Sequence, residues 1–370
     1  MQEYSRRLEK LKEEMSKENI QLSIIVGTSN IYYFTGFSGG GTLLVPLDDE
    51  PLLLVSRLEY ARALDHSYVK NIASYSQYKT EAPKEENLIL KPREEILIDK
   101  IKELKEKVVG CFQPDITLLE KKQKEVPGLS LKNISEIVSK LRSIKSPGEI
   151  EVIRKAVEIS EKALEKAIEV IETGVREVDV LAEILYVFAK NEALPAFPPI
   201  IASGPYSAYP HAEPTNRCFK EGDLIVVDLG AKFKGYCSDM TRTIVLGKPT
   251  EKQEDIIETV LAAQEAAFSK LRAGEDAGEV DKAARDIISN RGYGPYFNHS
   301  LGHGVGLDVH EAPALAQTKK KRSLEAGMVV TVEPGIYIHG YGGVRIEDLV
   351  LVKEDGCESL TTFEKKIFIV

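Results

Sequence analysis

Two acids stand where strand-like sequence should be apolar: in "DLIVVDLGAKFKGYCSDMTRTIVLG", residues 223–247, Asp228 interrupts one hydrophobic run and Asp239 opens the returning one. A second stretch, "VVTVEPGIYIHGYGGVRIEDLVLV", repeats the construction, with Glu333 and Glu347 on either side of a glycine-rich turn. If both hairpins are regular, each acid faces its partner across the ladder, where Cβ atoms lie about 4.5 to 5.5 Å apart and like charges repel. One carboxyl pair sharing a proton would resolve a single such clash. Two pairs, together with His303 between glycines in "NHSLGHGVGLDVHE", point to cations instead. Asp228, Asp239, Glu333 and Glu347 carry about four negative charges, which two divalent ions neutralise, and paired hydrolytic metals activate water and polarise a scissile carbonyl.

Oxygen-rich donors with one imidazole suit manganese, cobalt or iron at least as well as zinc. Thr241 and Arg345 each lie two residues from a proposed ligand, hence on the same strand face, and are expected to hydrogen-bond the carboxylates. The plain alternative for any one acid is a bend cap or the partner of a buried arginine, but four acids in two matching hairpins leave that alternative little room. His66 and His339 read as ordinary structural histidines, and Cys237 as a packing residue.

Elements must position these groups. Residues 4–18 place Leu8, Leu11 and Met15 at helical spacing, and "LSIIVGT" (22–28), "IYYFTGF" (31–37), "GTLLVPL" and "PLLLV" read as short strands, so the first third is an α/β domain. From about residue 130 the texture changes to long amphipathic helices, the first opening at Ser146-Pro147-Gly148 and running to about Ile171. A helix over about 175–192, the first acidic hairpin, helices over about 251–291 and a final set of strands give the remainder an α+β reading with an antiparallel sheet. Domains of 1–130 and 131–370 follow. The glycine-rich stretches "FSGGGT" (37–42) and "GHGVG" (302–306) lack the Lys-Ser/Thr and βαβ setting of phosphate-binding loops.

Composition excludes other classes. Net charge is −9, and no Lys/Arg cluster interleaved with aromatics is present to follow a phosphate backbone, so nucleic acid is not an expected partner. The four cysteines show no CxxC spacing, which argues against a zinc ribbon or disulfide scaffold. A charged N-terminus and the lack of an apolar run near the roughly 20 residues of a membrane span lead to a cytoplasmic expectation, with no membrane partner. Many Lys, Glu and Ile residues with no Trp fit a heat-adapted source.

The blocks "FPPIIASGPYSAYPHAEP", "DLGAKFKGYCSDMTRT", "SLGHGVGLDVHEAP", "EPGIYI" and "GVRIED", in that order, resemble the signature of the pita-bread metallopeptidases, specifically Xaa-Pro dipeptidases (prolidases) and Xaa-Pro aminopeptidases. The resemblance extends to "NIYYFTGF" and thus covers nearly the whole chain. It implies a pita-bread catalytic domain behind a smaller creatinase-like α/β domain that serves dimerisation and covers an active site. It implies two divalent metals, manganese or cobalt first and zinc or iron as alternatives, on Asp228, Asp239, His303, Glu333 and Glu347, the same five residues reached from spacing.

By position, the resemblance also makes His211, His310, Glu333 and Arg345 catalytic, with Glu333 a proton shuttle and His310 a stabiliser of the developing oxyanion, and makes His211, His299, His310 and Arg345 substrate-binding. It implies a homodimer acting on proline-containing di- or oligopeptides. Tyr206 stands where the family's pattern has Asn, which bears on the shape of the substrate pocket. Prolidase is the leading expectation and aminopeptidase P the alternative. Creatinase-like and non-catalytic relatives are disfavoured by the intact ligand set, and methionine aminopeptidase by the added N-terminal domain.

Overall fold

Seven short strands form the first sheet: β1 (Leu22–Ile25), β2 (Thr42–Pro46), β3 (Leu52–Ser56), β4 (Ile72–Tyr75), β5 (Leu88–Ile89), β6 (Val108–Cys111) and β7 (Ser130–Asn133), ordered β5-β4-β3-β2-β1-β6-β7. The computed structural model describes residues 2–366 and 368–370. β1 and β3 flank β2 antiparallel while the outer pairs run parallel, so the sheet is mixed. Its core gathers Leu22, Ile24, Leu44 and Leu54 with Leu97 and Ile101 of the helix Arg93–Lys102.

"IYYFTGF" is not a strand. Thr28–Thr35 is helical, because Gly27 and Gly36 take positive φ at its two ends and the Gly36 N–H closes onto the Tyr32 carbonyl at 2.8 Å. A short aromatic run between glycines fits either state by composition, and the left-handed glycine cap decides for the helix. The chain divides into the units Met1–Arg142 and Ser143–Val370, twelve residues beyond the position read from texture (142 − 130), because β7 still pairs with β6 as the last strand of the first sheet.

The second unit is built twice over. Its first half has the helices α1 (Pro147–Val170) and α2 (Glu177–Lys190), then β8 (Leu194–Pro195), β9 (Ile200–Ser203), β10 (Leu224–Leu229), β11 (Ala231–Phe233), β12 (Tyr236–Cys237) and β13 (Met240–Val245). Its second half has α3 (Glu251–Lys270) and α4 (Ala277–Asn290), then β14 (Gly302–Gly304), β15 (Glu311–Leu315), β16 (Val329–Val332), β17 (Gly335–Ile338), β18 (Gly342–Arg345), β19 (Asp348–Lys353) and β20 (Gly356–Ser359), with β21 (Phe368–Ile369) returning beside β13. Both long helices start with a capping box, Ser146 with Glu149 and Thr250 with Gln253.

Each helix pair buries one apolar face on its own strands. Ile159, Leu164, Val180, Ile184 and Phe188 pack with Val227, Leu229 and Ile244, while Ile256, Val260, Ala263, Val280 and Ala284 pack with Val330, Val332, Val344 and Val350. Phe188→Ala would cost about 3–5 kcal/mol at such a site. The two halves meet where β13 runs beside residues 345–347: Thr243 Oγ1 donates to the Arg345 carbonyl, and the Glu347 N–H to that of Thr241. Arg242 fastens the same seam, donating to the Glu347 and Phe363 carbonyls and to Asp348.

Candidate metal centre

That seam is lined with acid. Asp228 sits near the end of β10, Asp239 in the link from β12 to β13, His303 in the middle of β14, Glu333 just after β16 and Glu347 just before β19. All five, with His211, His299, His310 and Arg345, line one cavity of about 500 Å³.

Turn chemistry sets this convergence. In the first hairpin Phe233 pairs with Tyr236 around Lys234 and Gly235, both at positive φ, and the register runs on to Asp228 opposite Thr241. Asp228 and Asp239 are therefore diagonal neighbours, not the directly opposed pair that spacing suggested. In the second hairpin the ladders Val332–Asp348 and Gly335–Arg345 bracket Glu333 and Glu347, leaving those two at opposed positions. His303 lies between glycines because strands press on it from both sides: a Cβ on Gly302 would come within 2.1 Å of the Thr331 carbonyl oxygen, and one on Gly304 within 2.2 Å of that of Ala312.

His303 Nε2 lies 3.3 Å from Glu333 Oε1 and 3.7 Å from Asp239 Oδ2. Thr241 Oγ1 donates to Glu347 Oε2 at 2.6 Å and accepts from Arg345 Nε at 3.1 Å. Arg345 Nη2 reaches Asp228 Oδ2 at 2.6 Å, and its Nη1 donates to Tyr337 Oη at 2.8 Å. Tyr337 also meets His299 Nε2 at 3.0 Å. His310 is exposed at the cavity, its ring 4.2 Å from that of His303, and His211 is exposed on the same cavity.

Burial and like charge dominate the electrostatics of this cluster. Burial, reinforced by the charge of neighbouring carboxylates, lifts Asp239 and Glu347 well above the usual carboxylate range, and burial raises Asp228 despite the offset from Arg345. Burial also works on Glu333, but its pairing with His303 outweighs it, lowering the acid and raising the imidazole. Asp228 Oδ1 is buried with no hydrogen-bond partner among the described residues, an arrangement that costs free energy unless something positive meets it. Donor atoms of Asp239, His303 and Glu347 lie within 4.8 Å of one another. Buried oxygen donors, an imidazole and an orphaned carboxylate oxygen fit divalent cations.

The model of metallopeptidase family M24 matches residues 151–354, and that of the creatinase/prolidase N-terminal domain matches residues 7–144. The chain belongs to metallopeptidase family M24. It is 43% identical to the Xaa-Pro dipeptidase of Pyrococcus furiosus over 364 residues, covering 98% of this chain and 99% of that one. Among solved structures, the prolidase from Pyrococcus horikoshii superposes with a TM-score of 0.87 at 39% identity, over 98% of this chain and all of that one. The X-Pro aminopeptidase from Thermotoga maritima does so with a TM-score of 0.86 at 32% identity, over 98% and 99% of the two chains. The M24 unit is thus the pita-bread catalytic fold, with the smaller creatinase-like unit before it, as the resemblance implied.

In this M24 chain the motif-based reading missed Tyr337, a buried hydroxyl joining Arg345 to His299 and pushed up to about 12 by burial. The signal was present: Tyr337 is two residues from Gly335, the register partner of Arg345, and so shares its sheet face. Cys237 is buried, its N–H donating to the Gly306 carbonyl beside the His303 strand, and "GHGVG" is partly that strand rather than a loop opening a helix. His339 occupies the second hairpin's turn and His66 ends a helix of the first unit. Tyr206 is exposed, its ring 6.0 Å from that of Tyr209. No helix of the described residues is long and apolar enough to cross a membrane.

Proposed function

We propose that this chain is an Xaa-Pro dipeptidase that hydrolyses the bond before a C-terminal proline, using two divalent cations, manganese or cobalt first, held by Asp228, Asp239, His303, Glu333 and Glu347. The observation that carries the reading is the convergence of these groups on one cavity, with Asp228 Oδ1 buried and unpartnered. Such cations, when bound, supply an activated water and polarisation of the scissile carbonyl. The protein supplies the rest. Arg345, committed to Asp228, Thr241 and Tyr337, holds Asp228 in place, and Thr241 does the same for Glu347.

His310, open to the cavity on one side and partly desolvated on the other, has its pKa lowered by that partial burial and by the neighbouring His303, and its imidazole N–H can donate a hydrogen bond to an oxyanion. Glu333, at the cavity surface and hydrogen-bonded by Thr331, is the proton carrier. His211 and His299 bound the substrate, and Phe197, Pro198 and Ile200 offer an apolar wall to a proline ring. An Xaa-Pro bond lacks the N–H that most peptidases grip, so shape must do more of the recognition.

A homodimer in the cytoplasm, associating through the first unit, completes the reading. Its support is that the first unit leaves Leu58 and Tyr78 92% and 73% exposed. A monomer by light scattering would remove this part. The Thermotoga maritima aminopeptidase likeness keeps a second reading, release of the first residue from longer Xaa-Pro peptides. Offering the manganese-loaded protein an Xaa-Pro dipeptide beside the matching tripeptide separates them: cleavage of the dipeptide supports the proposal, preference for the tripeptide supports aminopeptidase P, and cleavage of neither overturns both.

A further inference from the structure

The helix α3 presents an apolar stripe to the second core, Ile256, Val260, Ala263 and Ala267, and of its buried polar residues Gln253, Thr259 and Gln264 the last reaches the main chain that carries Glu333 and Glu347. Gln264 is wholly buried there, and its Nε2 donates to two main-chain carbonyls, Val332 at 3.0 Å and Ile346 at 3.3 Å. Those carbonyls belong to the peptide groups that lead directly into Glu333 and Glu347. The N–H ends of the same two peptide groups are also held, Glu333 by the Leu301 carbonyl at 2.9 Å and Glu347 by the Thr241 carbonyl at 3.1 Å. Each peptide plane is thus pinned at both ends, and one amide nitrogen supplies the common pin.

Glu333 and Glu347 stand where the pairing β16/β19 gives way to β17/β18, so ladder bonds there do not by themselves fix the two planes. Gln264 Oε1, meanwhile, has no hydrogen-bond partner among the described residues. A leucine would fill this place in the core without leaving a buried oxygen unmatched, so the amide is present for its donor.

We infer that Gln264 is a positioning residue for the metal centre: by bridging the Val332 and Ile346 carbonyls it sets the separation and direction of the Glu333 and Glu347 carboxylates. The inference rests on the ligand assignment proposed above. Gln264 touches neither substrate nor cation, and acts only through the two peptide planes.

The test is Mn2+ binding to metal-free protein, read by the electron paramagnetic resonance signal of free Mn2+, for wild type, Gln264→Leu and Gln253→Leu, with thermal melts of each. Gln253 is a buried amide on the same helix that donates to the Gly222 carbonyl rather than to a peptide group of the four acids or the imidazole, and controls for the general loss of a buried amide. Gln264→Leu is expected to bind at least one ion about tenfold or more weakly, on the scale of groups that orient metal ligands. Gln253→Leu is expected to lower the melting temperature and keep wild-type Mn2+ affinity.

Mn2+ affinities of Gln264→Leu within twofold of wild type for both ions overturn the inference, whatever its melting temperature. If wild type itself binds no Mn2+, the ligand assignment fails first. Should Gln264→Leu not fold, Gln264→Asn keeps an amide that falls one methylene short of the carbonyls, and the same weakening is expected; unchanged affinity there overturns the inference equally.

Discussion

Arg345 Nη2 lies 2.6 Å from Asp228 Oδ2, an ion pair in which both residues are buried. Removing the guanidinium would leave an acid with one oxygen already unpartnered in a low-dielectric site. Arg345→Met is therefore expected to destabilise the metal-free protein by about 3–5 kcal/mol in urea unfolding, the scale of a broken buried pair. The double variant Arg345→Met with Asp228→Asn should recover part of that loss. An unaltered unfolding midpoint in Arg345→Met would contradict the pair's role.

Asp239 and Glu347 repel each other and their acidic neighbours when no cation is present. Asp239→Asn or Glu347→Gln should therefore leave the metal-free melting temperature unchanged or higher. Each should also lose bound metal by elemental analysis and lower kcat by on the order of a thousandfold, as loss of preorganised charge does. Full metal content in either variant would break the ligand assignment.

The same repulsion makes stability depend on pH, with a sign that can be worked out. Asp228, Asp239 and Glu347 have folded pKa values above their unfolded values of about 3.9 and 4.3, so between those and the raised values the folded state binds more protons. Stability from the site falls as pH rises through that window. His303 acts in the same direction, because its raised pKa stabilises below about 6.5 and the contribution is lost as pH rises through the folded value. Glu333, whose pKa is lowered, contributes stability above about 4.3 that is lost only as pH falls through its folded value. Melts with chelator over roughly pH 5 to 8 should decline more steeply than those of the Asp239→Asn, Glu347→Gln double variant, and Mn2+ should restore stability most at the alkaline end, where fewer protons compete. Equal slopes for the two proteins would refute this.

Thiol chemistry gives an independent check on the first unit. Cys111 is buried, and burial, aided by the charge of Asp115, pushes its thiol up to about 12. Cys218 is exposed and Cys237 buried. A disulfide reagent at pH 8 should modify Cys218 quickly and Cys111 and Cys237 only after guanidinium is added, with Cys357, half-buried and raised by burial, between them. Rapid modification of Cys111 in the folded protein would place it elsewhere.

Much of the site was legible because period-two arithmetic and metal chemistry act on residues close in sequence. The midpoint at Gly340 located the opposed Glu333 and Glu347 correctly, since a turn at that glycine governs the whole ladder. The first hairpin was read two residues out of register, because the Lys234–Gly235 turn, not the acids, centres it. The strand reading of "IYYFTGF" fails because a short aromatic run fits either state by composition, and the left-handed Gly36 cap makes it the end of a helix. Tyr337 and Gln264 escaped for another reason: a hydroxyl or amide in an apolar stripe is identified by its partners, and those lie 8 and 38 residues away in one case and 68 and 82 in the other.

The doubled architecture of the second unit has a consequence for the order of events in synthesis. Asp228 and Asp239 belong to its first half, whereas His303, Glu333 and Glu347 belong to its second. A growing chain therefore completes two acidic strands well before the imidazole and the remaining acids leave the ribosome. Until β18 and β19 form, Asp228 and Asp239 stand without Arg345, the guanidinium that pairs with Asp228 in the folded chain. On the proposed ligand assignment, capture of divalent cations therefore waits for the second half of the unit to fold.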